Sequence, residues 1–251
     1  MIRWILSLTA LLLAPISGWA DKKPDLEKLL EAKTFTQGKA SLSYRLLQPA
    51  TIDKEKTYPL VIFLHGAGER GKDNKAQLKH GVGDFASEER MKKSPCFLIA
   101  PQCPTGRHWA ISDKGSADAE PGQLVLDLIE KTCKEFPIDR KRIYLTGLSM
   151  GGYGTWDLMA RKPDLFAAGI PVCGGGDEKK ADKLVKIPIW VFHGDKDGAV
   201  KVERSRDMVA AIKKAGGKPD YTEYPGVGHD SWSRTYSDAK VLDWLFAQKK
   251  E

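Results

Sequence analysis

A sharp strand-to-helix turn is written into residues Ile143 to Gly152, and few architectures accept it. A short β-prone run, Ile143 to Thr146, leads into Gly147-x-Ser149-x-Gly151, and a helical pattern leaves at Gly152. This is the pattern of a nucleophile elbow, in which a strained backbone at the serine lifts its Oγ above a sheet. Glycine is required at 147 and 151 because a side chain at either would collide across so tight a turn. Gly152 lets the helix begin close against the strand.

A strand that feeds a helix this way belongs to a parallel sheet, so further alternation is expected on both sides of it. Nearly continuous apolar runs of strand length occur at Tyr58 to His65, Cys96 to Ala100, Arg142 to Thr146, Ala168 to Val172 and Pro188 to Phe192. Continuous apolar character marks strands covered on both faces. Ala40 to Leu47 instead alternates, with Leu42, Tyr44 and Leu46 on one side, and predicts an edge strand with one wet face. Helical periods run from Pro121 to Phe136, Gly152 to Arg161, Val202 to Ala215, and Ser237 to Gln248 behind a serine cap, with a polar candidate at Pro24 to Lys33. The expectation is an α/β protein whose mostly parallel central sheet carries helices on both faces. At 251 residues and 41% hydrophobic content, one core is the default. We divide the chain into residues 1–20, a segment at 21–39 and one catalytic domain at 40–251.

Residues 1–20 read as a signal peptide: Arg3, an apolar run from Trp4 to Ile16, then Gly18-Trp19-Ala20 as a small-residue cleavage site. The run closes before the roughly 20 apolar residues that span a bilayer, so a secreted or periplasmic protein with no stable anchor is expected. Cleavage leaves 251 − 20 = 231 residues and removes only Arg3, so the charge becomes 39 − 33 = +6. Lysines alternate with acids through Lys22 to Lys33, Lys72 to Lys93 and Lys179 to Lys186, which describes solvated faces and no nucleic-acid partner. Cys96, Cys103, Cys133 and Cys173 permit three disulfide pairings or none. Cys96 and Cys103 bracket one extended run of about 23 Å, too long for a bond between them. No CxxC is present, which argues against a structural zinc site.

Two stretches, Gly66 to Pro95 and Cys103 to Glu120, are long and largely unperiodic, as functional loops often are. Only residues 174–187 separate Cys173 from Pro188, too few for a folded lid, so an open site is expected there. Gly66-x-Gly68-x-x-Gly71-Lys72 imitates two nucleotide-binding patterns, but Asp73 stands where a P-loop needs a hydroxyl and no helix starts after Gly71. His65-Gly66-Ala67-Gly68 fits better as an oxyanion-hole turn. Its donors would be the N–H of Met150, which follows the serine, and that of Ala67, with Gly68 the second choice.

A serine hydroxyl needs a base, and the base an orienting acid. In the strand–elbow–helix arrangement these follow in the order serine, acid, histidine. Only His193 and His229 lie after Ser149, and His229, on the glycine-flexed loop after the strand candidate Tyr221 to Tyr224, fits the order. Asp195 and Asp197 both follow the Ile189 to Phe192 run. Asp197 is favoured because Gly198 frees the turn after it, while Asp195 suits bonding of loop amides. Asp177 ranks third, and Asp230 reads as exposed or structural.

Gly147-Leu-Ser-Met-Gly-Gly152, Leu64-His-Gly-Ala-Gly-Glu-Arg-Gly71, His193-Gly-Asp-Lys-Asp197 and Gly228-His-Asp-Ser-Trp232 together resemble the α/β-hydrolase superfamily over about Ala40 to Gln248. Within it the chain is similar to the group of phospholipase/carboxylesterases, dienelactone hydrolases, feruloyl and acetylxylan esterases and peptidases related to prolyl oligopeptidase. The resemblance implies that the second Asp of His-Gly-Asp-x-Asp is the acid, which supports Asp197; the proline often found after it is Gly198 here. It also implies a serine esterase without metal or cofactor and without a large lid domain, acting on small or polysaccharide-linked esters such as feruloyl or acetyl esters. Trp109 and Trp232 are candidates for stacking on such a substrate, Trp156 is expected in the core, and Glu69 and Arg70 are candidates for an ion pair. The alternatives are a peptidase on the same fold, for which this chain has no room for a large gating domain, and a non-catalytic binding protein.

Overall fold

The computed structural model describes residues 24–110 and 121–251; the expected signal peptide lies outside them. Eight strands, β1 (Glu31–Gln37), β2 (Ala40–Leu47), β3 (Tyr58–Leu64), β4 (Phe97–Pro101), β5 (Ile138–Leu148), β6 (Ala168–Val172), β7 (Trp190–Gly194) and β8 (Asp220–Tyr224), make one sheet in the order β1-β2-β4-β3-β5-β6-β7-β8. Pairs β1–β2 and β2–β4 are antiparallel, and every pair from β4 to β8 is parallel. Before, between and after them run α1 (Leu26–Leu29), α2 (Val82–Phe85), α3 (Glu88–Lys93), α4 (Pro121–Glu135), α5 (Met150–Arg161), α6 (Glu203–Lys214), α7 (Ser231–Ser237) and α8 (Ala239–Ala247).

The pleat of β3 shows why its run is apolar throughout. Leu60, Ile62 and Leu64 join one core with residues of α4, α5 and α6, while Val61 and Phe63 join a second with α2, α7 and α8. Each such side chain contributes about 1.5–3 kcal/mol by leaving water, so a central strand has no position to spare for a polar residue. Tyr144 on β5 reaches the end of the second layer, donating its phenol to the carbonyl of Gln248 at 2.6 Å.

Three local expectations are corrected. The segment from Pro24 to Lys33 is helical only over Leu26–Leu29; Glu31–Gln37 is the outer strand, paired with β2 along its whole length. β2 is therefore internal, and its Arg45, 6% exposed, is buried against carbonyls. The C-terminal helical region divides in two, and the cap of α8 is Asp238, which accepts from the Lys240 amide, in place of Ser237. All four cysteines are free thiols, Cys96, Cys103 and Cys173 fully buried. Residues 174–187 hold a 3-10 turn, Glu178–Leu184, that tucks Ala181 and Leu184 into the core and raises no lid. Among the described residues no helix is long and apolar enough to cross a membrane.

Candidate active site

The carboxyl ends of β3, β5, β6, β7 and β8 open onto one edge of the sheet, where loops of a parallel α/β sheet build sites. Ser149 stands there between β5 and α5 with φ 53° and ψ −116°, a left-handed conformation that costs a non-glycine residue on the order of 1–3 kcal/mol. Its amide donates to Val172 O at 2.9 Å, pinning the elbow to β6. The flanking glycines are sterically obligatory: a Cβ on Gly147 would lie 2.5 Å from Gly151 O, and one on Gly151 would lie 1.9 Å from Leu64 O.

His229 reaches the elbow from the β8–α7 loop, its Nε2 3.0 Å from Ser149 Oγ. Its Nδ1 is 2.7 Å from Asp197 Oδ2. Asp197 Oδ1 accepts from the amides of Ala199 and Val200 at 2.8 and 2.9 Å. Burial raises the Asp197 pKa, but the bonds from His229, Val200 and Ala199 outweigh it and hold the carboxyl below its ordinary value. An ionised carboxylate only accepts, so the Nδ1 proton stays on His229 and Nε2 is left to accept from the serine hydroxyl. The side chain of Asp197 is 0% exposed and that of His229 27%, so a charge formed on the ring would face a buried anion while the reacting edge stays reachable.

The competing carboxylates are spent elsewhere. Asp195 accepts from the Gly226 amide at 2.6 Å and ties the β7 loop to the β8 loop. Asp177 caps the 3-10 turn, and Asp230 caps α7 by accepting from Ser233.

Met150 is the first residue of α5, so its N–H has no acceptor within the helix. Ala67 opens the 3-10 turn Ala67–Glu69 after Gly66. The loop is held by contacts that the sequence did not announce. His65 is buried, donates from Nδ1 to Gly66 O at 2.6 Å and accepts at Nε2 from the Cys103 amide at 2.9 Å. Burial pushes its pKa down to about 4, so the ring is neutral and serves as a strut. A Cβ on Gly66 would lie 2.8 Å from Leu148 Cδ1, which shows how closely this loop lies against the residue before Ser149. Arg70 does not pair with Glu69: its Nε donates to Ala67 O at 2.9 Å, while Glu69 is buried with Oε1 3.8 Å from His80 Nε2.

The two tryptophans separate. Trp109 is 0% exposed, donates from Nε1 to His65 O at 3.0 Å and sets its ring edge-on to His65 at 5.1 Å. It props the loop from below and offers no face to a substrate. Trp232 lies edge-on to His229 at 5.1 Å and against His80 at 5.5 Å, half-buried beside the imidazole. Trp156 is in the core as expected. His193 is fully buried with Nε2 3.1 Å from Asp197 Oδ2; the sequence had offered it only as the histidine set aside in favour of His229.

Residues 108–241, just over half the chain, match the dienelactone hydrolase family. The chain belongs to that family. The crystal structure of a thermostable esterase superposes with a TM-score of 0.85 at 41% identity, covering 90% of this chain and 64% of that one. A bifunctional acetylxylan esterase/xylanase of Neocallimastix patriciarum is 32% identical over 149 residues, 58% of this chain and 20% of that protein. An endo-1,4-beta-xylanase/feruloyl esterase of Xylanibacter ruminicola is 29% identical over 192 residues, 72% of this chain and 26% of that protein. The chain thus matches about a fifth to a quarter of the length of these two curated relatives. Its single sheet of eight strands is the α/β-hydrolase fold, and among the described residues there is no large lid.

Proposed function

We propose that this member of the dienelactone hydrolase family is a serine hydrolase that cleaves carboxylic esters through an acyl-enzyme. The observation that carries the reading is the continuous chain from Ser149 Oγ to His229 Nε2 at 3.0 Å and from His229 Nδ1 to Asp197 Oδ2 at 2.7 Å. Ser149 Oγ attacks the ester carbonyl as its proton passes to His229 Nε2. The amides of Met150 and Ala67 receive the negative oxygen, each fixed donor contributing about 2.7–4 kcal/mol at that moment. The imidazolium returns the proton to the leaving alkoxide, and the alcohol departs. Water then repeats the sequence on the acyl-serine, releasing the acid and restoring the serine.

The names of the relatives favour feruloyl or acetyl esters on plant polysaccharide, with Trp232 as the wall of the acyl pocket. Export is proposed on the tripartite pattern of residues 1–20, and a relative described as a secreted protein is compatible with it. Cleavage after Ala20 would appear on N-terminal sequencing of the exported protein.

Folded Ser149→Ala is expected to lose turnover of a short-chain p-nitrophenyl ester by about four orders of magnitude or more. Wild-type turnover in that variant would overturn the reading. A panel of feruloyl, acetyl-xylan and proline-amide substrates would then separate esterase from peptidase.

A further inference from the structure

The proposed triad leaves unused the imidazole of the motif His193-Gly-Asp-Lys-Asp197. His193 lies within β7 with its side chain 0% exposed. Its Nε2 is 3.1 Å from Asp197 Oδ2 and 3.0 Å from Val200 O. Both partners only accept, so Nε2 carries a proton. On the other edge Nδ1 is 2.7 Å from Ser205 Oγ on α6, and the same hydroxyl is 3.1 Å from Gly174 O. A hydroxyl has one proton to give. If it goes to Gly174 O, Nδ1 faces an oxygen lone pair unless that nitrogen is protonated too; if it goes to Nδ1, the carbonyl loses a partner.

We propose that His193 is a positioning residue for the reaction: its Nε2–H shares Asp197 Oδ2 with the Nδ1–H of His229, aligns the carboxylate with the reacting imidazole and draws charge from it. The inference rests on the triad reading and deepens it. The relay from Asp197 through His193 and Ser205 ends at Gly174, where a Cβ would lie 2.6 Å from the carbonyl carbon of Gly152. Gly174 is therefore seated on the first turn of α5, the helix that begins after Ser149. A buried chain of hydrogen bonds from the acid to Gly174, followed by a close backbone packing contact with Gly152, links the acid to the element that holds the nucleophile.

Other ionisable groups around the pair are accounted for. Glu223, opposite His193 in the β7–β8 register, is bound to Arg206 and Tyr221. Cys173, at the end of β6, has its thiol pushed up to about 12 by burial and stays neutral. Asp230 faces the α7 amides, and Arg204 on α6 is paired with Glu178. The charge that His229 feels is thus governed by Asp197 and by what Asp197 is bonded to.

Removing the second donor concentrates negative charge on the His229 side of Asp197 and favours the protonated ring. His193→Phe is expected to lower kcat about tenfold to a hundredfold at nearly unchanged KM. The acid limb of its kcat/KM profile should move up by about half a pH unit. His193→Gln retains an N–H near the Nε2 position and should restore the acid limb and most of the rate. NMR of wild-type protein labelled with 15N-histidine should show His193 protonated at Nε2. An acid limb unmoved in folded His193→Phe, a Gln variant no better than Phe, or an unprotonated Nε2 would each overturn the proposal. If the Phe variant fails to fold, the Gln profile and the NMR spectrum decide. The NMR readout needs no turnover, so failure of the triad reading, seen as an active Ser149→Ala, remains distinct from failure of this one.

Discussion

Gly151, in the first turn of α5, and Gly68, in the 3-10 turn Ala67–Glu69, belong to the two segments on which the proposed site is built, and their surroundings are opposite. A methyl on Gly151 would meet the Leu64 carbonyl oxygen at 1.9 Å, a backbone atom of a strand buried on both faces. No side-chain rotation relieves that clash, so β3 and α5 would have to move apart. Gly151→Ala is expected to cost at least about 3 kcal/mol, at the upper end of overpacking, and to displace Ser149 from His229. Gly68 has nothing within 4 Å of the corresponding point. Gly68→Ala should melt and turn over like wild type, although it lies in the same glycine-rich loop. Thermal unfolding of the two variants checks the pair, and similar losses in both would contradict the steric assignment.

At the scale of elements, Arg45 does for the sheet edge what the glycines do for the elbow. From β2 it donates to the carbonyls of Asn74, Glu27 and Leu30 at 2.7, 2.9 and 2.9 Å, joining α1 and the loop after β3 to the antiparallel strands. Arg45→Met keeps the apolar stem but strands these acceptors, and about 3 kcal/mol of stability should be lost in urea unfolding. Its partners include no group of the site, so turnover per folded molecule should persist. The same region shows where the sequence is hard to read. Glu31, Lys33, Thr34 and Thr36 look like a solvated segment because β1 is an outer strand with little to bury. Its strand identity comes from the ladder with β2, a non-local partner that overrides local preference. The elbow was legible for the opposite reason, since the whole Gly147-x-Ser149-x-Gly151 pattern lies within five residues, even though Gly151 is held to glycine by the Leu64 carbonyl of β3. The elbow pointed to Ser149, chain order to His229, and Gly198 with the family resemblance to Asp197 over Asp195; the fold brings these three side chains within hydrogen-bond reach in series. Trp109 was not, because an unperiodic loop carries no burial signal, and the ring is received by Gly154 on α5, distant in sequence. The structural roles of His65, read only as part of the oxyanion turn, and of His193, set aside in favour of His229, were not legible, because a buried imidazole announces itself only through the partners the fold supplies.

For the whole molecule, the buried carboxylate of Asp197 couples the site to stability. Its pKa in the fold lies below the ordinary value because three N–H donors outweigh the effect of burial. A carboxyl depressed by folding stabilises the native state fully above its unfolded pKa, about 3.9. That contribution falls away as the pH drops through the lower folded value. Asp197→Asn cannot titrate. Its amide also presents a donor where His229 Nδ1–H and His193 Nε2–H both need an acceptor. The variant should therefore lose about four orders of magnitude in kcat, as expected for an imidazole held in the wrong tautomer, and should melt lower than wild type at pH 7. Below about pH 4 the two melting curves should converge, because wild type is then surrendering the interaction that the variant never had. Other carboxyls depressed in the fold, such as Asp73, Asp139 and Glu223, are present in both proteins and drop out of the difference. Melting temperatures of the pair from pH 2 to 7 test this directly. A constant gap down to pH 2 would mean that folding leaves the Asp197 pKa unshifted, and would remove the electrostatic basis for assigning it as the acid.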